Sequence, residues 1–342
     1  MISRALLALA FIFFLHGQLY AIVIRDDQSY PSHATLTNST ELGSVLRVRA
    51  TFGDTLETAR TYTASAVYIG YGFFLTAGHV LYGDGRDLST MAVLNRYGSS
   101  IASVMDYSFR AHPGFSGADF AGTFQNDIGI FWTGVPSSGG MNSLDSLGKL
   151  RYPAATLWTG ELDPGSELTI AGFGRRGTGS APGTLSSGTF AAGKNTYDQE
   201  AFGGKIGYFD FDSHLGTTSN LGSNQPLPHE AIVNPGDSGG GWFSPSQDGK
   251  LALTHITSGI WGNIDGVADG SYGDIGMGVS VSYYHEWIQQ QAYDILYAVD
   301  PYTYPVGEWA TFDTIPEPST LALVFGGLLF FAFGRGVGLL KF

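Results

Sequence analysis

The chain has 342 residues, of which 43% are apolar, enough for one large domain or two small ones. Its formal net charge of -13 and the absence of a basic patch argue against nucleic-acid binding. The absence of cysteine excludes cysteine nucleophiles, thiolate metal sites and disulfides. The 49 glycines, spread among Val, Ile, Thr, Tyr and Phe, predict many short strands joined by tight turns.

Residues 1–21 have the layout of a secretory signal peptide. Arg4 precedes an apolar run over residues 5–15, and Ala21 is a candidate cleavage site, so signal peptidase is an expected processing partner. The position of the cut is open, because Leu19 is larger than the residue usual there. A membrane anchor is the alternative, although the run is shorter than the ~20 residues of a membrane span. Either interpretation places the rest of the chain outside the cytoplasm.

The body of the protein is expected over residues 22–299, with a core over 45–299. Short apolar runs alternate there with Gly, Asn, Asp and Ser, as in SVLRVRATF, SAVYIGYGFFLTA, DIGIFWT, ELTIAGFG and LALTHITSGIW. These runs predict the strands of an all-β domain. Helical spacing appears only in YYHEWIQQQAYDILYAV, which predicts a terminal amphipathic helix. A linker rich in Pro and Tyr is expected over residues 300–315.

Three polar residues stand in positions that suit catalysis by a serine hydroxyl. His79 follows an apolar strand in FFLTAGHV, Asp127 opens one in QNDIGIFWT, and Ser238 lies in NPGDSGGG. A serine nucleophile needs an imidazole to take its proton and a buried carboxylate to orient that imidazole. Each residue alone has an ordinary explanation: a structural histidine, a strand-edge acid and a Gly-Asp turn. A catalytic role therefore depends on the fold bringing all three together.

The segments around these residues resemble the trypsin-like (chymotrypsin-fold) serine proteases. TAGH at residues 76–79 is similar to the family's Thr-Ala-Ala-His, DIGI at 127–130 to its Asp-Ile-Ala-Leu, and GDSGG at 236–240 matches its Gly-Asp-Ser-Gly-Gly. TIAGFGRRG resembles the strand that opens the second barrel, and GMGVSVSYYHEWI the closing strand and final helix. The order His, Asp, Ser is also the family's. The resemblance implies two six-stranded antiparallel β-barrels with a C-terminal helix and a site in the cleft between the barrels.

By this resemblance Ser238 is the nucleophile, His79 the general base and then acid, and Asp127 the residue that orients His79. The backbone N–H groups of Gly236 and Ser238 are implied to form the oxyanion hole. The implied activity is a serine endopeptidase that acts on protein or peptide substrates through an acyl-enzyme, with no cofactor and no metal. A non-catalytic extracellular binding or matrix protein on the same fold, or an esterase with the same triad, are the alternatives.

Substrate preference and activation are also implied by the resemblance. Ile232 lies six residues before the nucleophile, at the expected base of the S1 pocket, which receives the substrate side chain before the scissile bond. With Ser258 and Gly276 it predicts a pocket for an apolar or small side chain. Asp237 is expected to pair with a new N-terminal amine, and the predicted signal cut makes Ile22 that terminus. The alternative is a disordered N-terminus with Asp237 bonded locally.

Asp210 and Asp212 lie among aromatic residues in AFGGKIGYFDFDSHLG. Two carboxylates two residues apart are candidate Ca²⁺ ligands, but such a site needs six or more oxygens. A turn or a strand edge is therefore the favoured placement for both.

Residues 316–342 begin with Pro-Glu-Pro and continue into an apolar run over residues 321–333, followed by Arg335 and Lys341. This is the pattern of a short membrane-inserting segment with a positive cytoplasmic flank. It resembles a PEP-CTERM sorting tail, which implies export in a Gram-negative bacterium, an exosortase-like processing enzyme and a secreted, cell-surface or matrix location. A plain transmembrane tail anchor is the alternative. Membrane contact is expected only through the two terminal signals.

Overall fold

The computed structural model describes residues 21–299, apart from 54, 56–57, 83–86, 105–107, 116–123, 135–151, 217 and 263, together with residues 314–315. The predicted signal peptide up to residue 20 and the predicted tail over 316–342 lie outside the described residues. Among the helices of the described part, none is both long enough and apolar enough to span a bilayer.

The described chain consists mainly of short strands, as the apolar runs predict. The strands are β1 (Val23–Ile24), β2 (Val45–Phe52), β3 (Arg60–Gly70), β4 (Phe73–Thr76), β5 (Leu88–Leu94), β6 (Ser100–Ser103), β7 (Phe109–Ala111), β8 (Gly129–Trp132), β9 (Leu157–Trp158), β10 (Glu167–Gly172), β11 (Arg176–Thr178), β12 (Ala181–Leu185), β13 (Ala191–Thr196), β14 (Gln199–Ala201), β15 (Ile206–Asp210), β16 (Ala231–Ile232), β17 (Gly241–Pro245), β18 (Leu251–Trp261), β19 (Ile275–Ser280) and β20 (Thr314–Ile315). The helices are α1 (Tyr30–His33), α2 (Gly78–Tyr82) and α3 (His285–Val299), with 3-10 turns at Leu36–Asn38, Glu41–Ser44 and Phe124–Asn126.

The N-terminal half forms a seven-stranded sheet in the order β6-β5-β2-β3-β4-β8-β7. Strands β2 and β3 pair antiparallel from Val45 opposite Val67 to Phe52 opposite Arg60. Alternate residues of a strand point to one face, so the apolar positions of these strands gather in one barrel core. Val48, Phe74 and Phe131 are buried in that core.

The C-terminal half forms a second, nine-stranded sheet whose main path is β13-β10-β17-β18-β19-β15-β14. Strand β9 pairs in parallel with β18 and with β20. The last two residues of the predicted linker therefore form a strand on this barrel. A separate four-stranded sheet, β12-β11-β1-β16, attaches the N-terminal residues to the second barrel.

The terminal helix α3 packs against strands of both sheets. Ile288, Ala292 and Ile295 of α3 are buried in one cluster with Leu75 of β4 and Phe243 of β17. The predicted fold class, all-β with a C-terminal helix, is confirmed. The strand numbers differ from six and six, because several edge strands have only two or three residues and arise from pairing with neighbours rather than from an apolar run.

Candidate active site

His79 and Asp127 lie at neighbouring strand ends. His79 is in α2, shortly after β4, and Asp127 lies two residues before the start of β8; these two strands pair with Thr76 opposite Gly129. Asp127 Oδ1 accepts the backbone N–H of His79 at 2.8 Å, and Oδ2 lies 2.8 Å from His79 Nδ1. A carboxylate only accepts, so Nδ1 carries the proton and Nε2 is the acceptor of the neutral ring.

A third group holds the Asp127 carboxylate from the second barrel. Ser258 Oγ on β18 donates to Asp127 Oδ2 at 2.6 Å. Asp127 has no exposed surface, while the His79 side chain keeps 18% of its own exposed. Burial opposes the charged form of His79, but the charge of Asp127 and its hydrogen bond outweigh burial and raise the pKa of the imidazole above 6.5.

Ser238 lies in the loop between β16 and β17, and the first barrel fixes the position of that loop. Ser65 N–H of β3 donates to Ser238 O at 2.8 Å, and Ser65 Oγ donates to Gly236 O at 3.1 Å. Gly239 approaches the same barrel so closely that a Cβ there would lie 2.1 Å from Thr76 Oγ1. Glycine at this position therefore permits the contact that brings Ser238 to the cleft.

The N–H groups of Gly236 and Ser238 have the surroundings that an oxyanion hole requires. Gly236 adopts φ +101°, a backbone conformation that favours glycine. Among the hydrogen bonds of the described residues, none uses either N–H group as donor. Both residues line the same cavity as His79. The described fold does not use either donor, and their role as an oxyanion hole stays a prediction.

The cavity has a volume of about 440 Å³, and residues of both barrels line it beside Ser238 and His79. Its lining is mostly apolar and consists of Ala50, Phe52, Tyr62, Thr63, Ala64, His79, Val80, Phe124, Val233, Asn234, Pro235, Gly236, Ser238, Thr257, Ser258, Gly259, Ile260 and Ala268. Of the three predicted pocket residues, the structure places only Ser258 in this lining.

The expectation that Ile232 and Gly276 line the pocket disagrees with the structure. Ile232 is fully buried and pairs with Val23, because β1 lies beside β16. A Cβ on Gly276 would lie 2.4 Å from the Phe209 ring, so that ring occupies the space beside this glycine. Val233, the residue after Ile232, lines the cavity instead.

Asp237 is buried behind the nucleophile loop and contacts the N-terminal segment. Its carboxylate accepts the N–H groups of Gly174 at 2.6 Å and Asn234 at 2.8 Å. The backbone N–H of Ile22 also donates to it. Burial raises the pKa of Asp237 to about 7, although these three hydrogen bonds favour the ionised form. The structure thus brings Ile22 and Asp237 together.

Asp210 and Asp212 lie at a strand end, the placement that the sequence favours. Asp210 is the last residue of β15, and its Oδ2 accepts the N–H groups of Asn220 and Leu221. The N–H of Asp212 donates to Glu230 at 2.7 Å. Within the ranges that the structure describes, no three His, Asp or Glu residues are grouped so as to hold a metal ion.

Comparison with known proteins decides the family. The trypsin family profile matches residues 43–288. The chain belongs to the trypsin family. A solved structure of HL collagenase is 15% identical to it, with a TM-score of 0.48, covering 75% of this chain and 97% of that chain. No curated protein sequence matches the chain.

The trypsin-family site includes residues that the sequence did not reveal. Ser65 bonds the loop carbonyls, and Phe52, Tyr62 and Ile260 line the cleft. Ser65 looks like any strand serine, and an apolar strand residue has the same pattern whether it faces a core or a cleft. The sequence alone does not show which face of each strand borders the cleft, because that depends on how the strands pair.

Proposed function

We propose that this protein is a serine endopeptidase with Ser238 as nucleophile. Membership of the trypsin family supports serine endopeptidase activity in general. The observation that carries the specific assignment is the Asp127–His79 contact at 2.8 Å beside a cavity that Ser238 also lines. A nucleophile, a base and an orienting carboxylate are the groups that acyl transfer requires.

In the proposed reaction, His79 Nε2 takes the proton of Ser238 Oγ as the oxygen attacks the substrate carbonyl. The developing oxyanion accepts the N–H groups of Gly236 and Ser238, and one such donor contributes about 3–4 kcal/mol of transition-state stabilisation. His79 then gives its proton to the departing amine, which leaves an acyl-enzyme. Water activated by His79 releases the acid and restores Ser238.

The proposed preference is for an apolar side chain before the scissile bond. Val233, Ile260 and Ala268 bound the cavity on the second-barrel side, and none of the described residues that line it is Asp, Glu, Lys or Arg. A charged substrate side chain would lose its hydration there without gaining an ion pair. This supports the predicted preference for an apolar or small substrate side chain. The residues that support it are the cavity residues named above, not Ile232 and Gly276.

We also propose that cleavage after Ala21 activates the enzyme. The N–H of Ile22 already bonds Asp237, and cleavage turns that amide into an ammonium beside a carboxylate with no exposed surface. A buried carboxylate is stabilised in its ionised form by a directly bonded cation. Ile22 has φ +57°, which is unfavourable for a β-branched residue. Cleavage of the preceding peptide bond removes that constraint.

The activation proposal is tested with two purified forms, one starting at Ile22 and one retaining residue 21 and an uncleavable leader. The form starting at Ile22 should be active and the extended form at least about ten-fold less active. Equal activity would contradict a role for the free amine.

Export and C-terminal sorting are proposed from the sequence alone, and fractionation of cells expressing the tagged full chain tests them.

The main proposal is tested by labelling the mature protein with a fluorophosphonate probe, which reacts with an activated serine. Labelling should occur with wild type and be lost in Ser238→Ala and His79→Ala, with thermal unfolding as the folding control. Absence of Ser238-dependent labelling would favour a non-catalytic binding protein. Cleavage of ester but no peptide substrates would favour the esterase alternative.

A further inference from the structure

The second barrel has a cavity of its own, separate from the cleft beside Ser238. Its volume is about 230 Å³, and residues from the turn after β9, the β14–β15 hairpin and the segment after β19 line it. It shares no lining residue with the cleft. At this cavity His255 of β18 pairs with Ser280, whereas Ile260 of the cleft pairs with Gly276 nearer the other end of the same two strands. We call it the second cavity.

The charged side chains that line the second cavity are acidic. Glu161 and Glu200 both line it and are exposed. None of the ion pairs between described residues uses either carboxylate. No lysine or arginine is among the described residues of the lining. The cavity therefore repels an anion and attracts a cation.

Aromatic rings form much of the remaining wall. Trp158 is half-buried, Tyr197 is 2% exposed and Tyr283 is 49% exposed. Lys205 Nζ lies 5.4 Å from the centroid of the Tyr283 ring, so this ring already contacts one cation. An ammonium or guanidinium group within about 6 Å of a ring face is attracted by the quadrupole of the ring. The wall thus adds a second attraction for an organic cation.

Gly204 brings a carboxylate and a ring to the border of the same open space. It adopts φ +85°, which favours glycine, and a Cβ there would lie 3.4 Å from Glu200 Oε2 and 3.9 Å from Tyr283 Cδ2. Both groups therefore border the point that a side chain at this position would occupy. A cation at that point contacts the carboxylate and the ring together.

A buried histidine completes the cavity without adding a positive charge. His255 is 4% exposed, and its ring centroid lies 5.4 Å from that of Tyr197. Its Nδ1 is buried without a hydrogen-bond partner. Burial lowers the pKa of His255 to about 3, so the ring is neutral near pH 7. The negative charge of the two glutamates is therefore not cancelled from within the cavity.

We propose that the second cavity binds one organic cation, a guanidinium or primary ammonium group on an aliphatic chain. Its volume suits a single such group rather than a length of peptide. A metal ion is disfavoured, since no three His, Asp or Glu residues in the described ranges are grouped to hold one. The site does not depend on the proposed function, because Ser238 takes no part in it.

Calorimetric titration of the mature protein with butylguanidinium and with butylurea tests the class of ligand. The two compounds have nearly the same shape, and only the first is charged. Butylguanidinium should bind with a Kd of about 1 mM or tighter. Butylurea should bind at least about ten-fold more weakly, because it lacks the attraction to the carboxylates and rings. Equal binding of the two compounds, or no binding of butylguanidinium, would overturn the proposal.

Variants place the cation in this cavity rather than in the cleft. Glu200→Gln, Glu161→Gln and Tyr283→Leu should each weaken butylguanidinium binding by about five-fold or more. Tyr283→Phe keeps the ring, and Glu286→Gln changes an exposed glutamate outside the lining, so both should bind as wild type does. Thermal unfolding checks that each variant is folded. Wild-type affinity in all folded variants of the two lining glutamates would overturn the assignment.

A peptide arm distinguishes a free small cation from the side chain of a polypeptide. The probes are a blocked Gly-Gly-Arg-Gly-Gly peptide and its citrulline analogue, titrated into Ser238→Ala so that neither is cleaved. Arginine peptide that binds more tightly than butylguanidinium, and more weakly after Glu200→Gln is added, supports the site and identifies a polypeptide side chain as the ligand. Butylguanidinium that binds more tightly than the peptide supports the site for a free cation. Equal binding of the arginine and citrulline peptides together with no binding of butylguanidinium would overturn the proposal.

Discussion

At the scale of single residues, Asp127 has two separable effects on His79: it fixes the tautomer and raises the pKa. In Asp127→Asn, the side-chain amide can donate to Nδ1, which moves the ring proton to Nε2 and removes the acceptor for the Ser238 proton. Such a change typically lowers kcat by about 10⁴-fold. Steady-state kinetics should show this loss with little change in KM. A loss below about ten-fold would indicate that Asp127 does not set the tautomer.

The pH dependence of activity follows from the raised pKa of His79. Only the neutral imidazole accepts the Ser238 proton, so kcat/KM should rise with pH through an inflection above 6.5, the ordinary histidine value. The charge of Asp127 and its hydrogen bond cause the increase against burial. A profile of kcat/KM from pH 5 to 9 measures it. An inflection below 6.5 would mean that burial dominates.

Ser258 connects the two barrels at the Asp127 carboxylate. Its Oγ donates to Asp127 Oδ2 at 2.6 Å, and a hydrogen bond to a charged group contributes about 1.5–3 kcal/mol. Ser258→Ala should therefore lower kcat by roughly ten-fold or more while the protein remains folded. Kinetics beside a thermal unfolding curve check this. Unchanged kcat would indicate that His79 alone holds Asp127 in place.

At the scale of elements, Tyr30 adds a side-chain connection between the N-terminal segment and β11. Tyr30 OH donates to Ile22 O at 2.8 Å and accepts the N–H of Gly177 at 2.9 Å, and thus joins the N-terminal strand to β11. Tyr30→Phe leaves both buried groups without this partner, at a cost of roughly 1–3 kcal/mol. Thermal unfolding should show a lower Tm than wild type, and Tyr97→Phe, at a 94% exposed tyrosine, should not. An unchanged Tm in Tyr30→Phe would contradict this role.

Long elements were predictable because their patterns are local. The runs that predict β2, β10 and β18, and the helical spacing that predicts α3, reappear in the structure with shifts of a few residues at their ends. Strand β1 has two residues and no periodicity, so only its pairing with β11 and β16 defines it. That pairing also explains the wrong expectation for Ile232, whose side chain faces the core that β1 completes.

The candidate site was predictable in its chemistry and not in its shape. His79, Asp127 and Ser238 each stand in a short string of residues, so their pattern can be recognised without the structure. Phe52 and Tyr62 are ordinary strand residues, and whether they line the cleft depends on how the β2–β3 hairpin meets the second barrel. No short stretch of the sequence predicts that contact, because it forms between segments that are far apart in the chain.

At the scale of the whole molecule, the proposed catalysis requires that the two barrels keep a fixed position relative to each other. His79 and Asp127 belong to the first barrel, and Ser238 and Ser258 to the second. Ser65 and Ser258 each bond across the boundary, and α3 shares a buried cluster with strands of both sheets. The same packing that stabilises the molecule therefore positions the proposed catalytic groups.

Three buried carboxyls of the second barrel lower the stability of the fold as pH rises. Burial raises the pKa of Asp198 to about 6, of Asp212 to about 7 and of Glu230 to about 8. Unfolded carboxyls have pKa values near 4, so between pH 4 and 8 the folded state holds protons that the unfolded state has released. Its free energy of unfolding must then fall as pH rises through this range.

Two buried histidines act in the opposite direction at acid pH. Burial lowers the pKa of His33 to about 4 and of His255 to about 3. Below the unfolded value of about 6.5 the unfolded state binds protons that the folded state does not. Stability contributed by these neutral rings is thus lost as pH falls below 6.5, where it offsets the effect of the carboxyls.

The free energy of unfolding should therefore fall from pH 6.5 to 8, because the buried carboxyls hold protons there that the unfolded state has released, and the two neutral histidines offset only part of this. Asp212 is the residue to test, since its Oδ1 is buried without a hydrogen-bond partner and its pKa is about 7. Asp212→Asn should flatten the decline and raise the Tm at pH 8. Asp248→Asn changes an exposed carboxylate whose pKa is lowered by Ser246 and should leave the decline intact. Thermal unfolding of the three proteins from pH 5 to 8 measures this decline. An increase in wild-type Tm between pH 6.5 and 8 would contradict it and would show that these carboxyls ionise in the folded protein about as easily as in the unfolded chain.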